Sequence, residues 1–390
     1  MYDFTSMIPR RNTDSVKWDV KPNELPMWVA DMDFKVAPEI RDAMRQKIDF
    51  GIFGYEEPHD DYFQAVIDWY TKEHHATPKK EWMFLSTGVV PTISSSVRRV
   101  SNVGDNVLVQ APIYNIFYNS IVNNGRHVLS SDLVYDPNNH QYHIDFADLE
   151  RKLAEPLTTM MILCNPHNPI GKVWSRDELI KINQLCIKHS VTLLSDEIHG
   201  DLVFQGDDYT PMFSLPDDLI QNVIVCVSPS KTFNVAALHA ATVIIPNQVL
   251  RDKVNRGINT DELGEPNLLA IPGTIAAYTK AGQWVHKLRQ HIRANYQTVV
   301  DFCQKNIPDV TVVPSTATYL VWIDVSQLTD DSAKLESFIR SQTGLYVSAG
   351  TVYGGDGNHF LRMNIASPAS MIDDGLNRLK NGIEQFKQSK

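Results

Sequence analysis

Between residues 82 and 246 the chain repeats one unit, a short apolar run followed by a stretch with helical spacing. The runs fall at 82–85, 107–109, 127–129, 159–164, 191–195, 223–227 and 241–245. Strands that alternate with helices predict a mostly parallel, doubly wound sheet, because parallel neighbours need a crossover long enough to hold a helix. Over 175–189, Leu179, Ile182, Leu185 and Cys186 recur at helical spacing, and Ser175 stands where a cap belongs. Beyond Pro272 the pattern changes to a long helical stretch over 273–306, runs at 311–313 and 319–325, a helix over 332–343, a run at 360–366 and a closing helix. The chain is therefore expected to be α/β. Segment 1–45 would contribute to a smaller α+β domain, 46–284 would form the large domain and 285–390 the rest of the small one.

Composition narrows the partners. A formal net charge of −10 disfavours nucleic acid and anionic membranes. No apolar run reaches the length of a membrane span, and Met1 to Ser6 lack the basic-then-apolar order of a signal peptide. The four cysteines, at 164, 186, 226 and 303, are scattered and mostly sit in apolar runs. They predict buried thiols in a cytoplasmic protein rather than disulfides or a metal site.

Ligands of open α/β sheets bind beyond the carboxyl ends of the strands, so chemistry-bearing residues should follow the apolar runs. Lys231 follows 223–227 and Asp196 follows 191–195. A lysine that bonds a carbonyl and a carboxylate that keeps a pyridinium nitrogen protonated suit pyridoxal 5′-phosphate (PLP), although such residues also end strands without any cofactor. Gly88, Val89 and Val90 precede Pro91 and a helical stretch, which would leave free N–H groups for a phosphate. An ordinary strand-to-helix turn has the same pattern. Ser228 and Ser230, just before Lys231, could add hydroxyl donors. Asp196, Glu197, His199 and Asp201 lie close in sequence but lack a second ligand cluster, which argues against a metal. The glycine-rich stretch 350–357 lies too late in the chain for a dinucleotide fingerprint and is expected to form a flexible loop near the substrate mouth.

In combination these motifs resemble those of fold-type-I PLP-dependent enzymes, the aspartate aminotransferase superfamily. Asn168-Pro169-Ile170-Gly171 is similar to the segment whose Asn bonds the cofactor's phenolic oxygen, and Asp196-Glu197-Ile198 to the one whose Asp pairs with the ring nitrogen. Ser228-Pro229-Ser230-Lys231 resembles the Schiff-base lysine motif. Tyr114 matches the aromatic that stacks on the ring, and Arg362, in Leu361-Arg362-Met363-Asn364, the arginine that binds the substrate carboxylate. Segment 27–34, segment 87–91 and Asp196-Glu197-Ile198-His199 are similar to the MalY/PatB group of cystathionine β-lyases and other C–S lyases. The resemblance implies a homodimer in which Tyr55 reaches the neighbour's phosphate; otherwise Tyr55 would be a core residue at a helix end. It also places Ala30, Asp31 and Tyr353 at the substrate pocket.

Two positions depart from the wider superfamily. Many aminotransferases have Tyr where this chain has His199, and Arg where it has His239, eight residues after Lys231. Both departures favour the lyase group. The activity expected is PLP-dependent β-elimination from L-cystathionine or related cysteine S-conjugates, yielding a thiol, pyruvate and ammonia. An aminotransferase on the same scaffold, or a protein of this fold with a regulatory partner, are the alternatives.

Overall fold

The computed structural model describes residues 2–204 and 209–389. Seven strands form the larger sheet: β1 (Met83–Ser86), β2 (Asn106–Val109), β3 (His127–Ser130), β4 (Thr158–Cys164), β5 (Thr192–Asp196), β6 (Val223–Val227) and β7 (Ala241–Ile244). Their spatial order is β1-β7-β6-β5-β4-β2-β3. Pairing from β6 through β3 is parallel, as the alternating pattern predicts. Only β7 runs against its neighbours, β1 and β6. The link from β6 to β7 holds a one-turn helix, Pro229–Thr232, and a 3-10 turn, Ala236–Leu238. That is too little to carry the chain back to the start of a parallel strand.

Period-two geometry sorts the strand side chains onto two faces. Val223, Val225 and Val227 join one apolar cluster, with Met161, Leu163 and Leu193. Ile224 and Cys226 join the other, with Met160, Ile162, Cys164 and Leu194. Both faces are covered, which is why the strands read as unbroken apolar runs. Helix Arg176–Lys188 connects β4 to β5 and starts at the expected cap. Ser175 Oγ accepts from Glu178 N–H (3.2 Å), while Glu178 Oε2 accepts from Ser175 N–H (2.8 Å).

A second sheet is antiparallel, in the order β8 (Thr311–Val312), β9 (Leu320–Asp324), β11 (Phe360–Asn364), β10 (Ser348–Ala349). Helix Ser332–Thr343 packs against helix Ala369–Gln388 beside it. The N-terminal segment joins this end of the molecule, because Leu25–Pro26 pairs with Leu345–Tyr346. Residues 45 and 284 lie inside helices Pro38–Asp49 and Gly282–Asn306. The helical stretch 273–306 is two helices, Ala270–Lys280 and Gly282–Asn306, which share Ala281 as end and start. Ala281 N–H donates to Ala277 O (3.3 Å) while its own carbonyl accepts from Trp284 N–H (3.0 Å). Stretch 350–357 is tightly packed rather than a loose loop: a Cβ on Gly350 or Gly357 would strike the other's carbonyl oxygen.

Candidate active site

A cleft of about 270 Å³ opens at the carboxyl ends of β1, β4, β5 and β6. One wall is the start of helix Val89–Val100, with Gly88 as its N-cap at φ 155°. The first N–H that bonds back inside this helix is that of Thr92, on Gly88 O (3.2 Å), and Pro91 has none to offer. Gly88, Val89 and Val90 therefore present N–H groups at a helix N-terminus, where an anion is favoured. Ser230 and His239 line the same cleft. Ser228 does not; it lies beneath, with its hydroxyl donating to Ala240 O (2.6 Å) and accepting from Ser230 N–H (3.1 Å). It shapes the turn that carries Ser230 and Lys231.

Asp196, His199 and Lys231 share the cleft floor with Tyr114 and Cys164. Burial pushes the Asp196 carboxyl up to about 7, against the pull of Ile198 N–H (3.1 Å) and of Lys231. Burial likewise drives the His199 imidazole down to about 3, helped by the charges of Lys231 and Arg362, and among the described residues His199 Nδ1 is buried without a hydrogen-bond partner. The Lys231 amine is also pushed down, chiefly by burial, with Asp31 opposing and Arg362 reinforcing the shift. Burial lifts the Tyr114 hydroxyl to about 12. Each of these groups is thus biased towards its uncharged form. Cys164 belongs to the apolar core and the cleft alike; burial raises its thiol, and its Sγ donates to Pro166 O (3.3 Å).

Arg362 sits on β11, at the small-sheet side. Its Nη1 donates to Asn168 Oδ1 (3.1 Å) and its Nη2 to Trp28 O (2.9 Å), and the guanidinium lies 4.7 Å from the Tyr353 ring centroid. Among the described residues its Nε is buried without a partner, which leaves the fork short of one acceptor. Ala30 lines the cleft, and its carbonyl accepts from Lys231 Nζ (2.9 Å). Neighbouring Asp31 does not line it, because its carboxylate is held by Arg10 (2.7 Å). Tyr353 lies outside the lining too, buried behind Arg362. Ala30 was expected at the substrate pocket, but the carbonyl of Trp28 is a contributor that sequence alone missed, since a backbone acceptor leaves no mark on residue type.

Tyr55 is not brought to the cleft. It is 97% exposed, which rules out a core role, and lies along another groove with Arg256 and Glu262. The acidic run also diverges: Glu197 is buried with Ser195, Tyr209 and Met212 N–H, and Asp201 with Trp69, His74 and Thr232. Among the described residues no three metal-ligating side chains cluster.

The donor set fits a flat, anionic cofactor with a phosphate at one end and a ring nitrogen at the other. The sequence profile of the family described as Aminotransferase class I and II matches residues 25–379. The chain belongs to that family. Cystathionine beta-lyase PatB of Bacillus subtilis is 39% identical over 388 residues, covering 98% of this chain and all of that protein. Protein MalY of Escherichia coli is 31% identical over 395 residues, covering 99% of this chain and all of that one. Among solved structures, cystalysin from Treponema denticola, which contains a pyridoxal 5′-phosphate cofactor, superposes with a TM-score of 0.94. It is 32% identical and 99% of each chain is covered. Family membership fits the fold: a mostly parallel sheet whose strand ends carry the cleft.

Proposed function

We propose that this chain is a PLP-dependent C–S β-lyase that cleaves L-cystathionine or a related cysteine S-conjugate to a thiol, pyruvate and ammonia. The observation that carries the reading is the convergence of Lys231, Asp196 and Asn168 on one cleft, with Arg362 outside its lining but bonded to Asn168, in a chain alike over its whole length to cystathionine β-lyases. PLP would rest its phosphate on the N–H groups of Gly88 to Val90 and on Ser230, and its ring nitrogen on Asp196. Tyr114 would flank the ring and Asn168 would meet its phenolic oxygen, with His199 beside it. When bound, PLP supplies an electron sink for charge that develops at the substrate's α-carbon.

The protein's part is orientation and proton handling. Arg362 has spare N–H groups, including the unpartnered Nε, for a substrate carboxylate. Asn168 and Trp28 O hold its fork in place. Lys231, whose burial favours the neutral amine, is the base for the α-proton, a role worth about 10²–10⁴ in rate. Asp196 needs a neighbouring cation to ionise fully, and a protonated ring nitrogen is that cation. Where the proton goes next sets the outcome. A proton held on Lys231 or passed to the leaving sulfur would favour breaking the Cβ–S bond, with the bonding pair leaving on the thiolate, whereas a Lys231 placed to deliver it towards PLP would favour amino transfer.

A homodimer with shared sites completes the reading, Tyr55 reaching the neighbour's phosphate. The exposed Phe50, Ile52 and Phe53 beside Tyr55 support a covered face there. Four free, buried cysteines suit a cytoplasmic setting. The division into a large domain and a small one, the latter joined by segment 1–45, is supported by the two sheets and by the pairing of Leu25–Pro26. The test is product analysis of PLP-loaded protein with L-cystathionine, with and without a keto-acid acceptor. Pyruvate, ammonia and homocysteine without acceptor are expected. Amino transfer that needs the acceptor would replace the lyase with an aminotransferase.

A further inference from the structure

The Lys231 amine bonds the apex of a three-residue turn. Asp31 N–H donates to Val29 O (2.9 Å), which closes the turn and places Ala30 at its tip, and Ala30 O accepts from Lys231 Nζ (2.9 Å). Both ends of that turn are held by one side chain. Asn364 Nδ2 donates to Val29 O (2.6 Å) and to Asp31 O (2.7 Å). Asn364 is fully buried, and its other atoms are fixed as well: Oδ1 accepts from Ala366 N–H (2.8 Å) and its backbone N–H donates to Met27 O (2.8 Å). It lies two residues beyond Arg362 on β11, so the two side chains share a face of the sheet. Arg362 takes Trp28 O, and Asn364 takes the next pair of bonds along the same segment. Lys17 Nζ adds a bond to Asp31 O (3.0 Å) from the N-terminal side.

We propose that Asn364 is a positioning residue: by clamping Val29 O and Asp31 O it aims the Ala30 carbonyl at Lys231 and so sets where the free amine waits. Its kinetic consequence rests on the lyase reading above. A free lysine held at one place meets the α-proton in one geometry, and alignment of that kind is what a reacting pair gains from a rigid support. Arg362 keeps its own bonds to Asn168 and Trp28, so loss of the clamp acts on the proton transfer before it acts on substrate binding.

Asn364→Asp keeps the shape and the acceptor for Ala366 but replaces both donations with repulsion between oxygens. Asn364→Ser leaves one hydroxyl donor and serves as the partial rescue, and it carries the comparison if the Asp variant does not fold. The first readout needs neither PLP nor substrate. Full-length protein stripped of PLP is reductively methylated with formaldehyde and a borohydride-type reductant, and Lys231 is followed by peptide mass spectrometry. Asn364→Asp should speed methylation of Lys231 about tenfold, the equilibrium factor of one ordinary hydrogen bond, and Asn364→Ser by less. In the PLP-loaded enzyme, kcat on L-cystathionine should fall by about tenfold in Asn364→Asp with KM little changed. A Lys231 methylation rate in the variant equal to or below that of the wild type overturns the proposal, whatever the activity. A wild type that fails to cleave L-cystathionine overturns the lyase reading and leaves the methylation result to judge Asn364.

Discussion

Replacing Arg362 with Lys tests whether the fork, rather than the charge, binds substrate. The guanidinium makes two fixed bonds inside the protein, to Asn168 Oδ1 and Trp28 O, and keeps its buried Nε without a partner. A lysine ammonium retains the charge but offers no planar pair of donors, so one of the two parallel bonds to a carboxylate is lost. A hydrogen bond to a charged group is worth about 1.5–3 kcal/mol, which predicts a drop in kcat/KM of roughly 10–150-fold. The same change leaves Asn168 Oδ1 and Trp28 O short of donors in a buried site, at about 1–3 kcal/mol each, so the melting temperature should fall as well. The assay is pyruvate release from L-cystathionine at matched PLP loading, run beside thermal melts. Its control is the same thioether amine without the carboxylate, on which Arg362→Lys should show little further loss. A variant within about threefold of wild type on L-cystathionine, or equally impaired on both substrates, refutes carboxylate binding by Arg362.

Lys231→Ala should abolish pyruvate release while noncovalent PLP is retained, and turnover near the wild-type rate would sink the base assignment. Without PLP, Asp196 binds its proton up to about pH 7 in the folded state but only to about 4 unfolded, so its contribution is fully present below the lower value and lost as pH rises through the higher. The Asp196→Asn variant should therefore lose part of that pH slope in urea melts, by on the order of 4 kcal/mol at most between the two limits, and an unchanged slope would contradict the shift. If Tyr55 serves the neighbour, Tyr55→Ala and Lys231→Ala subunits mixed in equal amounts should regain about one quarter of wild-type activity, since half of the dimers are mixed and each holds one intact site. No recovery on mixing would place Tyr55 outside the neighbour's site. Ser175→Ala should cost about 1 kcal/mol in denaturant melts and leave turnover alone, because the cap it removes lies away from the cleft.

Sequence located the sheet because its strands are buried on both faces. The run 223–227 coincides with β6, and the run 241–245 overshoots β7 by a residue. Nothing in residue type reports that β7 runs backwards, since direction follows from the length of the link after Lys231 rather than from the strand itself. The break at Ala281 left one local mark, Gly282 directly after it, which the helical pattern over 273–306 outweighed. The charged cluster near the N-terminus was invisible for another reason. Asp33 collects donors from Arg10, Lys17, Trp18 and Ser367, partners drawn from both ends of the chain, and no local spacing announces them.

The gathering of Lys231, Asp196 and Asn168 in one cleft was legible because a lysine, an aspartate and an asparagine at strand ends stand out against apolar runs. The substrate side was legible only in part: Arg362 and Ala30 were named, but nothing marked the carbonyl of Trp28, because a backbone acceptor leaves no trace in residue type. These two sides explain one another electrostatically. Burial is the largest influence pushing Asp196, His199 and Lys231 towards their neutral forms, so the cleft's own residues carry little charge. A ligand that brings a protonated nitrogen next to Asp196 recovers the energy that burial took from the carboxylate, whereas one without that cation leaves it protonated. Burial, reinforced by nearby positive charge, keeps His199 biased towards its neutral form, so it would serve a phenolic oxygen as a neutral partner. On the proposed reading the site would select by charge as well as by shape: an anion at the helix start, a cation at Asp196 and a carboxylate at Arg362 beside the cleft, with the amine of Lys231, biased towards its neutral form, as the group to take a proton.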